Sequence, residues 1–380
     1  SAAAGAMRER IGEAIHAALE KDPGNSHLIR QSALLHYAQI TTIHSFCLNL
    51  IHTYFHQVDL EPNFRIAEEG EWNLLQEDVM QEVLNENYER GTEAFLQFVE
   101  CFATGKKDDG LKDMILNLYD FAMSYPWPKE WLRNILSCYR FEDFAELEQK
   151  EWMQAGAAYL KNMFSNLCQI AQDNIRIASE SDGPEYLLGT VRNDLMQMER
   201  LNAAGTYRQM SKALSELSFG RLPSSRGYEG SKEKLDWVKE QRDQIKNAIK
   251  KIQADFFFAE EKEILTRLSA MEPVAEELMR LTEEFMDAFD RKKREKNLLD
   301  FNDLEHFALK ILINETTKEP TEAALQCRKL YAEVMIDEYQ DSNLVQESLL
   351  SVVSKEAEGV YNRFMVGDVK QSMYRFRWAR

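Results

Sequence analysis

The spacing of apolar residues along the chain predicts a mostly helical protein. Near the N-terminus, apolar residues recur at helical spacing over residues 7–19, until Pro23 and Gly24 interrupt the helix and Ser26 can cap the next one. From position 72 to about 290, almost every segment repeats this helical spacing. We therefore expect a long all-α region in the middle of the chain.

The exceptions lie near the two ends of the chain. The β-branched run at 40–43 predicts a short strand, followed by a turn at His44-Ser45 and an apolar helix over 46–55. The apolar run at 334–336 and the segment "YNRFMVGDVKQ" at 361–371 predict two more strands with a helix between them. Because these runs do not alternate with polar residues, we expect parallel strands that are buried on both faces of a β-α-β unit.

Composition narrows the class of protein. With 380 residues, of which 44% are hydrophobic, the chain can bury a sizeable core. The net charge of −18 argues against a generic nucleic-acid coat protein but leaves room for a local basic groove. No apolar run has the length of a membrane span, and no signal peptide is evident. The five cysteines lack metal-ligand spacing, so we expect reduced thiols in a cytoplasmic protein with no membrane partner.

Acidic residues follow the first of the two C-terminal strands. Asp337 and Glu338 stand directly after the apolar run, in "IDEYQDSN". An aspartate at a strand end can hold Mg²⁺ beside substrate phosphates, and the next carboxylate can orient or deprotonate an attacking water. Such a pair is more often a solvated cap, but the strand before it and "GDVKQS" after the next strand favour a site. No Gly-Lys-Thr or Gly-Lys-Ser occurs in the chain to hold the phosphates.

Basic and aromatic residues interleave in the last part of the chain. Over 363–380, aromatic side chains such as Tyr374 and Phe376 alternate with Arg375 and Arg377. Aromatic stacking on bases, together with cations on phosphates, holds single-stranded nucleic acid without sequence preference. The alternative is an edge strand whose aromatic side chains pack inward.

Three further features are weaker candidates. His52 and His56 lie four residues apart as a possible metal pair, but no third ligand is near in sequence, so we favour a structural role. The basic run "RKKREK" at 291–296 is more commonly a solvated face than a DNA contact. The loop at 218–231 carries two arginines, but such a loop is more commonly just mobile.

Taken together, the motifs resemble superfamily 1A DNA helicases of the UvrD, Rep and PcrA type. "IDEYQDSNLVQ" is similar to the Walker B segment of that family, and "VGDVKQSMYRFRWA" is similar to its motif III. The forms "DEYQDSN" and "VKQSMYRFR" resemble most closely the AddA family of bacterial helicase–nuclease subunits. "AAAGAMRERI", "TTIHSFC" and "LLDFNDLE" are similar to further segments, and all the matches come in the family's order.

This resemblance implies residue roles, cofactors and partners. Asp337 would coordinate Mg²⁺, Glu338 would act on the hydrolytic water, and Gln371 would sense the γ-phosphate of ATP. ATP and Mg²⁺ would be the cofactors, and the partners would be single-stranded and double-stranded DNA and an AddB-like subunit. The DNA-binding residues implied by the match are Thr42, His44, Ser45, Tyr374, Arg375, Phe376 and Arg377.

The resemblance also implies a fold and a domain order. The fold would be α/β and mostly helical: a partial P-loop NTPase (RecA-like) parallel sheet with a large all-α insertion domain. Residues 1–68 would form the first part of helicase lobe 1A, 69–290 the helical 1B-like insertion, and 291–380 the rest of lobe 1A with motifs II and III.

Parts of the family's motor lie outside these matches. The Walker A segment would precede "AAAGAMRERI", where Gly5-Ala6 replaces the usual Ala-Glu, so it is open whether residues 1–6 are native. A second motor lobe and an exonuclease domain would follow motif III. We therefore expect an internal piece of an ATP-driven 3′→5′ translocase of double-strand-break repair and recombination, inactive as an ATPase when alone.

Two other interpretations stay open at this point. The chain could belong to a UvrD/Rep-type repair helicase that lacks a nuclease, although the long helical insertion and "GDVKQSMYRFR" favour the helicase–nuclease. It could instead be a non-enzymatic helical scaffold with accidental motif likeness. In that case Asp337, Glu338 and Gln371 would not converge.

Overall fold

The computed structural model describes residues 2–103, 108–368 and 370. Over these residues the fold is mostly helical, as the apolar spacing predicts. The chain divides into two compact units, Ser1–Asn134 with Val274–Arg380, and Ile135–Pro273. The insertion over 69–290 stays a prediction, since the first part of that range groups with the chain ends.

The first unit contains the helices and strands that carry the matched segments. Its strands are β1 (Arg65–Ile66), β2 (Leu298–Leu299), β3 (Val334–Ile336) and β4 (Arg363–Met365). Its helices are α1 (Ala2–Lys21), α2 (Ser26–Leu34), α3 (Ile43–Tyr54), α4 (Glu69–Arg90), α5 (Glu93–Phe102), α6 (Asp109–Met123), most of α7 (Pro128–Leu136), the second part of α13 (Glu261–Glu295), α14 (Phe301–Leu312), α15 (Glu322–Leu330) and α16 (Leu344–Val353).

The strands form two parallel pairs. β1 pairs with β2, and β3 pairs with β4 so that Met335 lies opposite Phe364. Helix α16 connects β3 to β4, which confirms the predicted strand–helix–strand unit near the C-terminal end. The RecA-like sheet as a whole stays a prediction.

The predicted burial of these strands on both faces is wrong. The side chain of Met335 is 69% exposed and that of Phe364 is 63% exposed. The two residues are register partners on neighbouring strands, so both side chains lie on one face of the pair, and they are largely open to water there. The apolar residues predicted the two strands correctly. They did not show whether other parts of the protein bury the faces of those strands.

The N-terminal strand and turn predictions are also wrong. The structure has no strand at 40–43, and His44 and Ser45 lie in the first turn of α3, not in a turn before it. Thr42 is the N-cap of this helix, and its hydroxyl accepts a hydrogen bond from the Ser45 N–H at 3.4 Å. Side-chain capping at the helix start outweighs the β preference of so short a run. In the same way Asn25, and not Ser26, caps α2.

Two apolar cores hold the first unit together. One lies between α3, α14, α15 and α16, and the other between α4–α7 and the second part of α13. The start of α14 is fixed by a capping box: Asp300 accepts from the Asp303 N–H, and Asp303 accepts from the Asp300 N–H. The capping box fixes the first turn of α14, and this helix packs against α3 and α16 through the first of the two cores.

One cation of the basic run at 291–296 is buried, which the sequence did not indicate. Lys293 is 4% exposed, and its Nζ lies 3.2 Å from Asp300 Oδ2 and 2.5 Å from Asp303 Oδ1. Burial opposes the charge of Lys293, but the two carboxylates outweigh burial and raise the pKa of the lysine. Burial raises the pKa of Asp303 to about 6, the charge of Asp300 adds to the rise, and the ammonium group of Lys293 offsets only part of it.

The second unit is helical throughout its described elements. It contains α8 (Phe144–Gln149), α9 (Glu151–Ala178), α10 (Leu188–Ala203), α11 (Tyr207–Ser215), α12 (Lys232–Phe256) and the first part of α13. Arg242 and Asp194 form a buried ion pair, with Nε to Oδ2 at 2.5 Å, and Arg242 also donates to the Gly220 carbonyl at 2.7 Å. That carbonyl belongs to the predicted loop at 218–231, which is confirmed as a segment without helix or strand.

Composition led to one expectation about the cysteines and one about membrane-spanning segments. All five cysteines are unpaired, and Cys47, Cys168 and Cys327 are buried, as expected of reduced core thiols. Among the described helices, none combines the length and the apolar character that a membrane crossing would require.

Candidate functional site

The acidic pair follows the end of β3. Asp337 and Glu338 are exposed and come directly after Ile336, the last residue of that strand. Asp337 Oδ1 accepts a hydrogen bond from the Glu338 N–H at 3.0 Å. Glu338 has a φ of 53°, in the left-handed region that non-glycine residues seldom adopt. Such backbone strain persists where the surrounding contacts impose it, and it often marks a functional position.

Gln340 provides those contacts. It is 5% exposed, and its Nε2 donates to Glu338 Oε2 while its Oε1 accepts from the Asp368 N–H at 2.9 Å. The Tyr339 N–H donates to the Val366 carbonyl at 2.9 Å. The end of β3 is therefore tied to the segment after β4, and the Glu338 carboxylate is oriented by an amide whose oxygen is held by the Asp368 N–H.

Gly367 makes this close approach possible. A Cβ at this position would lie 2.5 Å from Gln340 Oε1 and 3.1 Å from the Gln340 backbone nitrogen. Only a residue without a side chain leaves room for the Gln340 amide. Sequence reasoning did not single out Gln340; the signal was a glutamine two residues after the second acid, with a Gly-Asp pair after the next strand.

The other residues of the C-terminal prediction cannot be placed. Gln371, Tyr374, Arg375, Phe376 and Arg377 lie outside the described residues, so their roles stay predictions. The structure does bring Asp337 and Glu338 to the same end of the sheet as Asp368, three positions before Gln371.

Arg363, the first cation of the basic and aromatic segment at 363–380, forms ion pairs with two acidic residues. Its guanidinium group lies 2.7 Å from Glu347 and 3.2 Å from Glu356, and its side chain is 10% exposed. It therefore stabilises β4 against the adjoining helices and does not extend a cationic surface.

The N-terminal candidates lie together in the first turn of α3. The hydroxyl groups of Thr42 and Ser45 are 3.0 Å apart, and His44 Nε2 lies 3.1 Å from Glu305 Oε1. The ring of His44 also packs against Phe301, with 4.9 Å between ring centroids. All three candidates are half-buried, so each has a surface that a ligand can reach.

Glu305 is the residue of this cluster that sequence reasoning missed. It lies in α14, is 3% exposed, and accepts hydrogen bonds from Gln346 Nε2 at 2.6 Å and Asn343 Nδ2 at 3.1 Å as well as contacting His44. Burial raises the pKa of this carboxyl, but the hydrogen bonds from His44, Gln346 and Asn343 outweigh burial and leave the pKa below its ordinary value. An ionised carboxylate therefore joins "TTIHSFC", "LLDFNDLE" and "IDEYQDSNLVQ" at one point.

The predicted metal ligands do not form a complete metal site by themselves. Among the described residues, no group of three or more His, Cys, Asp or Glu side chains is arranged to hold a metal ion. His52 instead stacks on Phe64 at 4.9 Å between centroids, a packing contact.

One or two carboxylates with water and substrate phosphates are the usual ligands of Mg²⁺, so Asp337 fits a magnesium ion that arrives with a nucleotide.

Comparison with known proteins identifies the family. The profile of the UvrD/REP helicase N-terminal domain matches residues 1–380, and the chain belongs to this family. The motif likeness is therefore not accidental, which removes the interpretation as an unrelated scaffold.

The curated relatives carry a more specific name, since each is an ATP-dependent helicase/nuclease subunit of the AddA type. The chain is 42% identical to the relative from Lachnoclostridium phytofermentans, 40% identical to that from Clostridium perfringens and 38% identical to that from Geobacillus kaustophilus, in each case over the whole chain. The chain spans 28%, 30% and 31% of the length of these three relatives. The resemblance to the helicase–nuclease subunit is confirmed, and what the complete protein does is a matter of proposal.

Proposed function

We propose that this chain supplies the N-terminal motor portion of an ATP-dependent helicase–nuclease subunit that translocates on single-stranded DNA during double-strand-break repair and recombination. The observation that carries the proposal is the Gln340 bridge, which aims the Glu338 carboxylate at the end of a parallel strand pair. Ligands of parallel α/β sheets bind at this end of the strands. The names of the relatives support the choice of a helicase–nuclease over a helicase without a nuclease.

The proposed chemistry divides between neighbouring residues. Bound magnesium would neutralise charge on the phosphates of ATP. The Asp337 carboxylate would hold the ion, and Glu338, aimed by Gln340, would accept a proton from the attacking water at its carboxylate oxygen. Gln371 would contact the γ-phosphate.

The proposed DNA contacts lie in two segments. Thr42, His44 and Ser45 stand at the N-terminal end of α3, where hydroxyl groups and backbone N–H groups suit a phosphate. In the other segment, the aromatic rings would stack on bases and the guanidinium groups would contact phosphates. The residues proposed there are Tyr374, Arg375, Phe376 and Arg377. Double-stranded DNA and an AddB-like subunit would be partners of the complete enzyme.

Substitution of the proposed base tests the catalytic assignment. In the complete subunit, Glu338→Gln keeps the shape of the side chain and removes its basicity, so we expect kcat for ATP hydrolysis to fall at least about 100-fold, with a small change in KM. Glu333→Gln, at an exposed carboxylate five residues earlier, is the matched control and should stay within about threefold of the parent. Turnover by Glu338→Gln at the level of the parent would refute the proposed role.

The 380-residue chain alone gives a second test. Because no Gly-Lys-Ser or Gly-Lys-Thr occurs in the sequence, we expect no DNA-stimulated ATP hydrolysis by this chain. Robust turnover that Glu338→Gln abolishes would contradict that expectation. Anisotropy of a labelled single strand should show weak binding that falls with added salt and falls further in Phe376→Ala.

A further inference from the structure

Glu305 is a buried carboxylate whose partners come from two segments far apart in sequence. His44 reaches it from α3, and Asn343 and Gln346 reach it from the start of α16. A buried charge is tolerated only where partners compensate the loss of hydration. The three contacts meet this need, so the carboxylate holds α3 and α16 in one mutual arrangement.

His44 is fixed on one side and accessible on the other. Its Nε2 edge contacts Glu305 and its ring packs on Phe301, while its side chain remains 33% exposed. Displacement of Glu305 would release the ring from its buried contact. The orientation of the exposed edge is therefore set by α14 and not by α3 alone.

The contacts continue from α16 to the acidic strand end. Asn343 caps α16 by accepting from the Gln346 N–H at 2.8 Å with the same side chain that donates to Glu305. One turn into the helix, Glu347 accepts from the Tyr339 hydroxyl at 2.7 Å, and Tyr339 directly follows Glu338. A continuous series of hydrogen bonds and one helix turn thus joins His44 to the residue after the proposed base.

We infer that Glu305 is a positioning residue that couples the His44–Ser45 end of α3 to the first turn of α16, and through it to the segment at 337–340. The ligands on the two sides would be a single-stranded nucleic acid at α3 and a nucleotide at β3, and in this respect the inference rests on the proposed function. The structural coupling itself needs neither ligand.

A carboxylate is required because three donors converge on it. Glutamine has the same shape but offers one acceptor oxygen and an NH₂ group that would face a donor. Glu305→Gln should therefore keep the packing and lose at least one of the contacts. Gln346→Ala is a milder variant, since it removes one donor and leaves the His44 contact in place.

Hydrogen–deuterium exchange of the 380-residue chain without ligand tests the coupling. In Glu305→Gln we expect the amides of 46–50 and of 347–351 to exchange faster together, by at least about tenfold. His44→Ala should accelerate 347–351 although it lies on α3, and Gln346→Ala should accelerate 46–50 although it lies on α16. The control is Glu277→Gln, which alters another buried carboxylate of the same unit and should leave both segments unchanged.

Two results would refute the coupling. If His44→Ala changes exchange in α3 alone and Gln346→Ala changes it in α16 alone, the residues are local supports and the coupling is refuted. The same conclusion follows if Glu305→Gln affects the two segments no more than the control does.

Addition of a single-stranded oligothymidylate separates this inference from the proposed function. In the parent chain, bound DNA should slow exchange at both segments, whereas in Glu305→Gln it should slow exchange at 46–50 only. Equal protection of both segments in the variant would overturn the coupling. If the parent shows no protection at all, the DNA assignment fails in this chain, and the ligand-free comparison still decides the role of Glu305.

Discussion

Gly367→Ala is the most direct test of the geometry at the acidic strand end. The added methyl group would lie 2.5 Å from Gln340 Oε1, and 3.1 Å and 3.3 Å from the backbone nitrogens of Gln340 and Tyr339. The Gln340 amide must therefore move away. In moving, it gives up the hydrogen bond from the Asp368 N–H and weakens the one to the Glu338 carboxylate.

The loss of these two hydrogen bonds sets the expected loss of stability. A neutral hydrogen bond contributes about 1 kcal/mol and one to a charged group about 1.5–3 kcal/mol. With partial relaxation, we expect Gly367→Ala to destabilise this local structure by about 2–4 kcal/mol. Amide exchange at 338–342 should accelerate by at least about 30-fold. In the complete subunit, kcat for ATP hydrolysis should fall by about tenfold or more, because Glu338 is no longer aimed.

Gly70→Ala is a matched control. Gly70 lies in α4 of the same unit, and a Cβ there would meet no atom within 4 Å. Gly70 is the second residue of α4 and alanine is the better helix former, so this change should leave stability unchanged or raise it by less than about 1 kcal/mol. If Gly367→Ala exchanges at 338–342 within about twofold of the parent, the Gln340 bridge does not hold Glu338 and the reasoning fails.

Two further predictions concern buried charges. Because the pKa of Asp303 is raised to about 6 in the folded protein, the folded chain binds this proton more tightly than the unfolded chain does. This group should therefore make stability fall as pH rises from about 4 to about 6, and the urea midpoint of Asp303→Asn should depend less on pH over that interval than that of the parent. Arg242→Ala leaves the Asp194 carboxylate buried without its ion-pair partner, so it should lower the free energy of unfolding of the second unit by about 3–5 kcal/mol in denaturant titrations. The double variant Arg242→Met, Asp194→Leu should recover most of that loss, and an equal loss in both proteins would argue against the ion-pair explanation.

The sequence predicted the elements that depend on local pattern. Helical spacing indicated the mostly helical fold, and the two C-terminal apolar segments located β3 and β4. These features follow from neighbouring residues, so a single sequence contains them. The strand at 40–43 failed because the hydroxyl group of Thr42 decided the local structure, and a run of β-branched residues does not reveal a cap.

The contacts between distant segments were not predictable in the same way. Motif likeness pointed to Asp337, Glu338 and His44, but nothing local distinguishes Glu305 from other polar residues, and the signal for Gln340 includes a Gly-Asp pair that lies beyond the next strand. Their roles arise because α14 lies beside α3 and α16, and because the segment after β4 lies beside the end of β3. The burial of a cation from a basic run has the same origin, since the carboxylates that compensate it lie on the next helix.

The exposed apolar side chains of the β3–β4 pair bear on the behaviour that we expect of this chain in solution. Two apolar side chains, Met335 and Phe364, stand open to water on adjoining strands and offer a ready surface for contact between copies. The negative charge of the chain, −18 near neutrality, holds copies apart by repulsion. As the pH approaches the isoelectric point near 5.0, that repulsion disappears, so purification and storage belong well above this pH.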